Sequence, residues 1–247
     1  MKVSIITVVY NCKEYIEHCI QSVISQLYSD IEYIVIDGSS TDGTPGIIAK
    51  YLRHISYYVS EPDSCMYAAL NKGIAMASGD IVGILNADDY LVDGLVIREL
   101  VQCLVEHNSD AVYGNLNYVN RENTAIISRK WLSRTVNLED FERGWMPAHP
   151  TLFIKRKYFD LYGCYAVDLG SAADYELILR FLYTHRLKAV FLDRLFVNMR
   201  TGGMSNGSFV KVYRAMRYDY KAITSHKLPN PLMALTLKKL RKLKQFL

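Results

Sequence analysis

Hydrophobic and polar positions follow two alternating patterns over the first 110 residues, one typical of buried strands and one typical of amphipathic helices. Residues 3–10 form an almost unbroken β-branched run, as in a strand that is buried on both faces. Apolar residues then recur at helical spacing across residues 13–26. Further strands are predicted at residues 31–37, 55–60 and 80–87, and helices at residues 45–52, 66–77 and 94–107. This order predicts an α/β fold, with a mostly parallel sheet flanked by helices.

The alternation becomes weaker after residue 120. Strands are predicted at residues 111–119, 124–130, 151–155 and 188–199, and a strongly patterned helix at residues 174–185. We interpret residues 1–208 as one domain, in which the second half completes the sheet of the first. Residues 209–247 are predicted to form a helical tail with a break at residues 228–231.

The composition, with 50% hydrophobic and 22% charged residues, is that of a folded globular protein. The five cysteines are far apart and include no C-x-x-C pair, so we expect neither a disulfide scaffold nor a cysteine zinc site. The chain shows no signal-peptide pattern and no run of about 18 apolar residues. We therefore expect a protein of a reducing compartment that does not cross a membrane.

Charge is distributed unevenly along the chain. The formal net charge is +4, but residues 209–247 contain ten Lys or Arg and one acid, which leaves residues 1–208 acidic. Within this tail, apolar residues recur at helical spacing between the basic ones: Met233, Leu237, Leu240, Leu243 and Leu247. The pattern is typical of an amphipathic helix that lies on an anionic membrane surface. An oligomerisation helix is the alternative, whereas the absence of a recognition motif argues against nucleic acid.

Polar residues follow three of the predicted parallel strands where each strand ends. Tyr10 and Asn11 follow the first, Asp37 opens the loop DGSSTDG, and the fourth strand ends in Asn86-Ala87-Asp88-Asp89. Because ligands of open α/β sheets bind at the carboxyl ends of the strands, we expect these residues to share a crevice. Asp37 can accept hydrogen bonds from a ribose or a base, and the paired carboxylates suit Mg²⁺ or Mn²⁺. Without a ligand, the same residues would form a turn and a helix cap.

The segments TVVYN, EYIVIDGSSTDGT and SEPDSCMYAALNKGIAMASGDIVGILNADDYL resemble, in order and spacing, the family 2 glycosyltransferases with the GT-A fold, of the bacterial cell-surface polysaccharide type. The resemblance covers roughly residues 1–205. It implies a nucleotide-sugar-binding half at residues 1–110 and an acceptor and catalytic half at residues 111–208. It also implies an inverting transfer of a UDP-linked sugar to a hydroxyl of a saccharide acceptor, and a lipid-linked acceptor agrees with the basic tail.

The resemblance assigns donor-side roles to several residues. It implies that Asp37 contacts the uridine, with Tyr10 nearby and Asp63 bordering the base. Asn86-Ala87-Asp88 corresponds to a D-x-D motif, with Asp88 as the ligand of a divalent metal, Mn²⁺ or Mg²⁺, beneath the diphosphate. The remaining donor-side residues that it implies are Asn11, Ser39, Asn71 and Lys72. The sequence departs from the family pattern at Val9, Cys65, Ala68 and Asn86.

The segment Ala173-Asp174-Tyr175-Glu176-Leu177 resembles the part of the family that carries the catalytic base, where an acidic pair is usual. Only the second acid, Asp174, is present here. The resemblance implies that Asp174 deprotonates the acceptor hydroxyl. A helix-capping role is the alternative.

Three further segments are candidates for the acceptor side and for a covering loop. His149 in PAHP is either an acceptor or phosphate contact or a structural histidine. Trp145 is either a platform on which a sugar stacks or part of the core. Gly202 and Gly203 resemble the start of a GG-x-S loop over the donor, where glycine permits close backbone approach and movement.

Other functions were compared with this hypothesis. The segment VVYNCKEY after the first strand contains no glycine, which argues against a dinucleotide oxidoreductase and against a nucleotidyltransferase. A catalytically degenerate GT-A protein that binds saccharide or acts as a scaffold remains an alternative, because Asn86 and Ala173 replace acids. The expected location is the cytoplasm, peripheral on the inner face of the cytoplasmic membrane.

Overall fold

The computed structural model describes residues 1–202 and 209–244. The first four strands of its sheet are parallel. The four strands are β1 (Val3–Val9), β2 (Ile31–Asp37), β3 (Tyr57–Ser60) and β4 (Ile81–Ile84), in the order β3-β2-β1-β4. All seven residues of β1 are buried, which explains the β-branched run in its sequence. The four carboxyl ends therefore lie along one edge.

Helices cover both faces of these strands. Alternate residues of β1 lie in different cores, with Ile6 packed on the side of α3 (Met66–Met76) and Ile5 on the side of α1 (Ile16–Ile24) and α4 (Val96–Glu106). Helix α2 (Thr44–Ala49) lies on the α1 side and is followed by a 3-10 turn at Leu52–His54. The α/β fold class with helices on both faces of the sheet is confirmed.

The second half of the sheet is mixed in direction. Its strands are β5 (Tyr90–Leu91), β6 (Ala111–Val119), β7 (Ile127–Trp131), β8 (Phe153–Lys155) and β9 (Ala189–Arg200). Strand β8 lies antiparallel between β4 and β6, whereas β6 and β9 are parallel. Strand β5 pairs with β9 and β7 pairs with β6, both antiparallel. The short β5 was not predicted, because two residues are too few to show a period.

Short helical segments connect these strands. Helices α5 (Leu138–Glu142) and α6 (Lys157–Tyr162) were not predicted, since five or six residues show little periodicity. The helix predicted at residues 174–185 consists of α7 (Ala173–Ile178) and a π-helical turn at Leu179–Thr184, preceded by 3-10 turns at His149–Thr151 and Val167–Ala172.

The tail forms two helices, α8 (Phe209–Ser225) and α9 (Pro231–Lys244), so the predicted helical tail and its break are confirmed. The hairpin packs on the rest of the protein. Ala222, Ile223, Ala234 and Leu235 are buried in the same core cluster as α7. Gly144 has φ +71° and lies so close to the backbone of Ala234 that a side chain there would collide with it. The tail therefore shares a core with residues 1–202.

Among the described residues, none of the helices has the length and apolar character that crossing a membrane would require.

Candidate functional site

Two loops at the carboxyl ends of β1 and β2 are joined by hydrogen bonds. Asn11 donates its backbone N–H to Ser40 Oγ (2.8 Å), and its own Oδ1 accepts from the backbone N–H of Thr41 (2.9 Å). The backbone N–H of Lys13 donates to Asp42 Oδ2 (3.0 Å). Asn11 has φ 49°, in the left-handed region. Such a conformation strains a residue with a side chain, and these bonds hold it.

Asp37 is fully buried beneath these loops. Its carboxylate accepts from the backbone N–H and the hydroxyl of Ser40 and from the hydroxyl of Ser60 (2.6 Å). The structure thus places Asp37 as the residue that holds the loop containing Ser39, whose φ is 61°. Tyr10 is 67% exposed beside this loop. Contact of either residue with a base stays a prediction.

Asp63 and Lys72 are brought together beside this edge. Lys72 Nζ lies 2.8 Å from Asp63 Oδ1 and 2.5 Å from Glu61 Oε1, and both carboxylates raise the pKa of Lys72. Asp63 Oδ2 is buried and has no hydrogen-bond partner among the described residues. A buried polar atom without a partner is unusual in a folded protein, and a hydrogen-bond donor of a ligand could complete it.

Asn71 is used inside the protein. Its amide donates to the carbonyl of Tyr165 and accepts from the backbone N–H of the same residue, both at 2.9 Å. The structure therefore places Asn71 as a clamp between α3 and the segment before α7. Because both polar atoms of the amide bind Tyr165, a contact between Asn71 and the sugar donor stays a prediction.

The loop after β4 combines one accessible carboxylate with one buried carboxylate. The side chain of Asp88 is 26% exposed, whereas Asp89 is fully buried. Burial and the neighbouring charge of Asp88 raise the pKa of Asp89 to about 8, although the Asn86 amide donates to Asp89 Oδ2 (2.8 Å). Because the Asn86 amide nitrogen is committed to Asp89, its oxygen is the atom that could ligate a metal. Ala87 is buried between them.

Arg200 and its neighbours hold this loop and were missed in the sequence. Its guanidinium is buried, donates NH1 to the carbonyl of Asp88 (2.5 Å) and donates NH2 to His18 Nδ1 (2.8 Å). Burial and the charge of Arg200 lower the pKa of His18, which agrees with a neutral acceptor nitrogen. The ring of His18 stacks on Tyr90 at 4.1 Å. The sequence feature that could have drawn attention to Arg200 is its position two residues before Gly202.

Arg121, at the end of β6, reaches the same loop from the other side. Its NH1 lies 3.9 Å from Asp88 Oδ2, and its Nε donates to the hydroxyl of Tyr15 (3.0 Å). Gly202 has φ +97°, and a Cβ built there would lie 3.5 Å from Arg121 NH1. Gly202 thus lies beside Arg121, whereas Gly203 lies outside the described residues.

Asp174, at the start of α7, is half-buried and borders a cluster of buried aromatic residues. Burial raises the pKa of Tyr67 and Tyr165, and the charge of Asp174 adds to both shifts. His149 Nε2 lies 2.6 Å from the hydroxyl of Tyr165, and burial lowers the pKa of His149 against the opposing charge of Asp174. Burial raises the pKa of Tyr118, and the charges of Asp89 and Asp174 add to this shift.

The tail also packs on Tyr175, the residue after Asp174. Lys238 of α9 lies over the ring of Tyr175 (3.4 Å to its centroid), and its Nζ lies 2.6 Å from Asp219 Oδ1. Burial lowers the pKa of Lys238, whereas the charges of Asp219 and Asp174 oppose this shift. This contact could not be read from the sequence, in which Lys238 belongs to a basic run.

Trp145 is part of the core, which favours core packing over the alternative of a sugar platform. It is 8% exposed and packs edge-to-face against Tyr113 and Phe141, with the guanidinium of Arg134 5.4 Å from its ring. An indole enclosed in this way has no free face on which a sugar could stack.

The oxygen atoms around Asp88 fit a divalent metal only in part. The described residues contain no group of three or more His, Cys, Asp or Glu side chains that could hold an ion. Mg²⁺ is often held by one or two carboxylates and completed by substrate phosphates and water. The accessible carboxylate of Asp88 and the amide oxygen of Asn86 fit an ion of that kind, provided that a diphosphate supplies further ligands.

Comparison with known proteins agrees with this geometry. Residues 4–165 match the sequence profile of Glycosyl transferase family 2. An uncharacterised glycosyltransferase of Mycobacterium tuberculosis is 31% identical over 195 residues, which cover 72% of this chain and 68% of the relative.

Two solved structures have a similar fold. S. aureus TarS 1-349 in complex with UDP-GlcNAc has a TM-score of 0.73 at 21% identity, over 99% of this chain and 73% of that one. The mannosyltransferase PcManGT from Pyrobaculum calidifontis, in complex with GDP-Man and Mn²⁺, has a TM-score of 0.65 at 19% identity, over 96% of this chain and 68% of that one. At these identities the likeness shows the fold alone.

Proposed function

The chain belongs to glycosyl transferase family 2 and is a glycosyltransferase with a nucleotide-sugar donor. We propose that it transfers one sugar from a UDP-linked donor to a hydroxyl of a saccharide acceptor, with inversion. One observation carries this proposal. The loops after β1 and β2 are joined by hydrogen bonds at the carboxyl edge of the parallel strands, where the loop after β4 presents the accessible carboxylate of Asp88.

Asp174 is the general base of the proposed reaction. The acceptor oxygen forms a bond to the anomeric carbon while the bond from that carbon to the diphosphate oxygen breaks, and the electron pair leaves with the nucleoside diphosphate. Asp174 takes the proton of the attacking hydroxyl, so no nucleophile from the enzyme is needed. Inversion follows from this single displacement.

Asp88 and the amide oxygen of Asn86 would hold the divalent metal, Mn²⁺ or Mg²⁺. When bound, the metal supplies positive charge that stabilises the leaving diphosphate. The Mn²⁺ in the similar PcManGT structure supports this choice. Arg200 keeps the backbone of Asp88 in place for this role.

The choice of UDP is supported by the UDP-GlcNAc complex of the similar TarS structure, whereas PcManGT contains GDP-Man. In the proposed site, Tyr10 and Asp63 border the base, and the loop held by Asp37 lies beside the ribose. Asp63 Oδ2, buried without a partner among the described residues, is suited to accept a hydrogen bond from a nucleotide. Asn11, Ser39 and Lys72 complete this side.

The decisive experiment is a panel of nucleotide sugars, tested for binding and slow hydrolysis with Mn²⁺, with Mg²⁺ and with EDTA. We expect metal-dependent binding of one UDP-sugar. Binding of a GDP-sugar alone would replace the donor, and metal-independent binding would overturn the role of Asp88. Failure to bind any nucleotide sugar would favour the degenerate saccharide-binding or scaffold protein.

We also propose that the helical tail holds the enzyme on the cytoplasmic face of the membrane, where it glycosylates a lipid-linked saccharide in cell-surface polysaccharide synthesis. Helix α9 exposes Leu232, Met233 and Leu240, whereas its Ala234 and Leu235 are buried. Lys238 and Lys239 both bind Asp219, so these three side chains together contribute one positive charge instead of the two that the lysines alone would supply. Leu247 lies outside the described residues, as does the side chain of Leu243.

Helix α8 supplies the second part of this surface. It exposes four large apolar or aromatic residues, and its exposed basic residues lie next to them: Val212, Tyr213, Met216 and Tyr220, with Arg214, Arg217 and Lys221. An apolar strip flanked by basic residues is suited to an interface with anionic lipids. Vesicle binding tests this part of the proposal.

A further inference from the structure

A small polar cavity of about 200 Å³ lies between the loop after β1 and the end of β6. Its charged lining residues are Lys13, Arg121, Glu14 and Asp42, and Asn11, Cys12 and Tyr15 complete the lining. It lies next to Asp88, because Arg121 NH1 is 3.9 Å from Asp88 Oδ2. We propose that Arg121 is a phosphate-binding residue, which contacts the diphosphate of the donor beside Asp88; this inference rests on the proposed function.

Arg121 is held in place at one end and accessible at the other. Its guanidinium lies 4.5 Å from the centroid of the Tyr15 ring, and Nε donates to the Tyr15 hydroxyl (3.0 Å). Among the described residues, that hydroxyl is its only hydrogen-bond acceptor, and the side chain is 40% exposed. The two terminal nitrogens therefore keep their four N–H donors for a ligand, in the planar arrangement that matches phosphate oxygens.

A second arginine explains why Arg121 is the one that meets the ligand. Arg200 lies 4.9 Å from the centroid of the same Tyr15 ring, but it is buried and its terminal nitrogens are bound to the Asp88 carbonyl and to His18. Arg200 is a positioning residue for the Asp88 loop. The stacking of both guanidinium groups near one phenol ring concentrates positive charge beside Asp88.

Among the described residues, neither of the two acids that line the cavity, Glu14 and Asp42, forms an ion pair with Arg121. Asp42 is a lining residue, but its carboxylate accepts from the Lys13 and Thr44 backbones and from the Thr44 hydroxyl. Asp88 is too far from Arg121 NH1 for a hydrogen bond, since 3.9 Å exceeds the usual range. Asn86 supplies no charge where the family pattern has an acid, so any metal at Asp88 depends on phosphate oxygens. The guanidinium of Arg121 belongs to the protein itself, so it neutralises the same diphosphate independently of the metal.

The test compares Arg121→Gln with the wild type by titration with UDP, with inorganic pyrophosphate and with uridine, each with Mn²⁺ and with EDTA. We expect UDP and pyrophosphate to bind roughly 10- to 100-fold more weakly, because charge-assisted hydrogen bonds are lost, and uridine to change by less than about twofold. Arg98→Gln is the control, since Arg98 is an exposed arginine on α4. It should leave all three affinities unchanged.

Two further variants separate binding from local structure. Arg121→Lys keeps the charge but loses the planar donor pair and should be intermediate. Tyr15→Phe keeps the ring and removes the hydroxyl that orients Nε, so it should weaken UDP binding by less than Arg121→Gln. Unchanged UDP affinity in Arg121→Gln, or an equal loss for uridine and UDP, would overturn the proposed contact.

A wrong assignment of UDP as the donor nucleotide would give a different result from a wrong assignment of Arg121. If the wild type bound GDP instead of UDP, the same comparison would be made with GDP and guanosine. If it bound no nucleotide, the proposed function would fail, yet pyrophosphate binding that depends on Arg121 would still support an anion site. Absence of pyrophosphate binding as well would overturn both.

Discussion

Two buried carboxylates, Glu32 at the amino end of the parallel sheet and Asp89 at its carboxyl end, have pKa shifts in opposite directions. At the amino end, Glu32 of β2 accepts from Lys2 Nζ, Ser4 Oγ and the backbone and hydroxyl of Ser78. Burial alone would raise its pKa, but these donors lower it to about 2. At the carboxyl end, burial and the charge of Asp88 raise the pKa of Asp89 to about 8.

The difference separates carboxylates that stabilise the fold from carboxylates that are available for ligands. Every oxygen of Glu32 has donors inside the protein, and its removal should therefore affect folding. The carboxyl end instead contains an accessible Asp88 and a buried Asp63 oxygen without a partner among the described residues. Incompletely compensated polar groups cluster at functional sites, since a ligand completes them.

The largest expected effect is that of Asp174→Asn. We expect turnover to fall by roughly 10²- to 10⁴-fold, because an amide cannot take the proton of the attacking hydroxyl in the proposed reaction. The affinity for the nucleotide sugar and the thermal stability should stay close to those of the wild type. Steady-state kinetics with donor titration measures both. Full turnover in this variant would show that another group is the base.

Asp88→Ala is expected to have the next largest effect. Donor binding in Mn²⁺ should fall at least about tenfold, and the affinity in EDTA should change little, because the variant removes the proposed metal ligand. Calorimetric titration in the two buffers checks this. An equal loss in EDTA would indicate that Asp88 acts without a metal.

At the other end of the sheet, Glu32→Gln should reduce stability by about 2–3 kcal/mol, since buried charged hydrogen bonds are lost, and leave kcat of the folded enzyme unchanged. The folded pKa of Glu32 lies below its ordinary value of 4.5, so its contribution is present above pH 4.5 and is lost as the pH falls toward 2. The gap in melting temperature between wild type and variant should therefore narrow in acid.

Asp30→Asn is the matched control for this prediction, because Asp30 is an exposed acid one residue before β2. Its change in stability should stay within about 0.5 kcal/mol. A pH-independent gap between wild type and Glu32→Gln would show that the stabilisation does not come from the ionised carboxylate.

The smallest expected effect concerns the tail. The double variant Met233→Gln and Leu240→Gln should bind anionic vesicles roughly tenfold more weakly, because two exposed apolar side chains are lost, with stability changed by less than about 0.5 kcal/mol. Sedimentation with vesicles measures the binding. An unchanged vesicle affinity combined with a shift from dimer to monomer would favour the oligomerisation helix.

The sequence predicted the parallel half of the sheet better than the rest. Strands β1 and β2 were predicted from largely apolar runs, because both faces of these strands are buried. Helices α1 and α4 were predicted from apolar stripes, because one face of each helix is buried along its length. The short elements β5, α5 and α6 lack such a period, and their positions depend on neighbours that are distant in the chain.

The same division holds for the candidate site. The strand-end positions of Asp37 and Asp88 follow from local pattern, because the chain must leave each strand at the same edge. The actual partners of Asp37, and the burial of Trp145 in the core, depend on which surfaces meet after folding. Composition around either residue contains no such information.

By itself, the sequence determined the family, the α/β class, the order of the strand-end loops and the helical nature of the tail. Only the tertiary structure decided that Arg121 lies beside Asp88, that Asn71 clamps Tyr165 and that Lys238 points inward to Asp219 and Tyr175. The physical reason is one of range. Backbone periodicity and turn chemistry act between residues close in the chain, whereas pairing of charged and aromatic side chains is set by packing between segments about 20 to 100 residues apart.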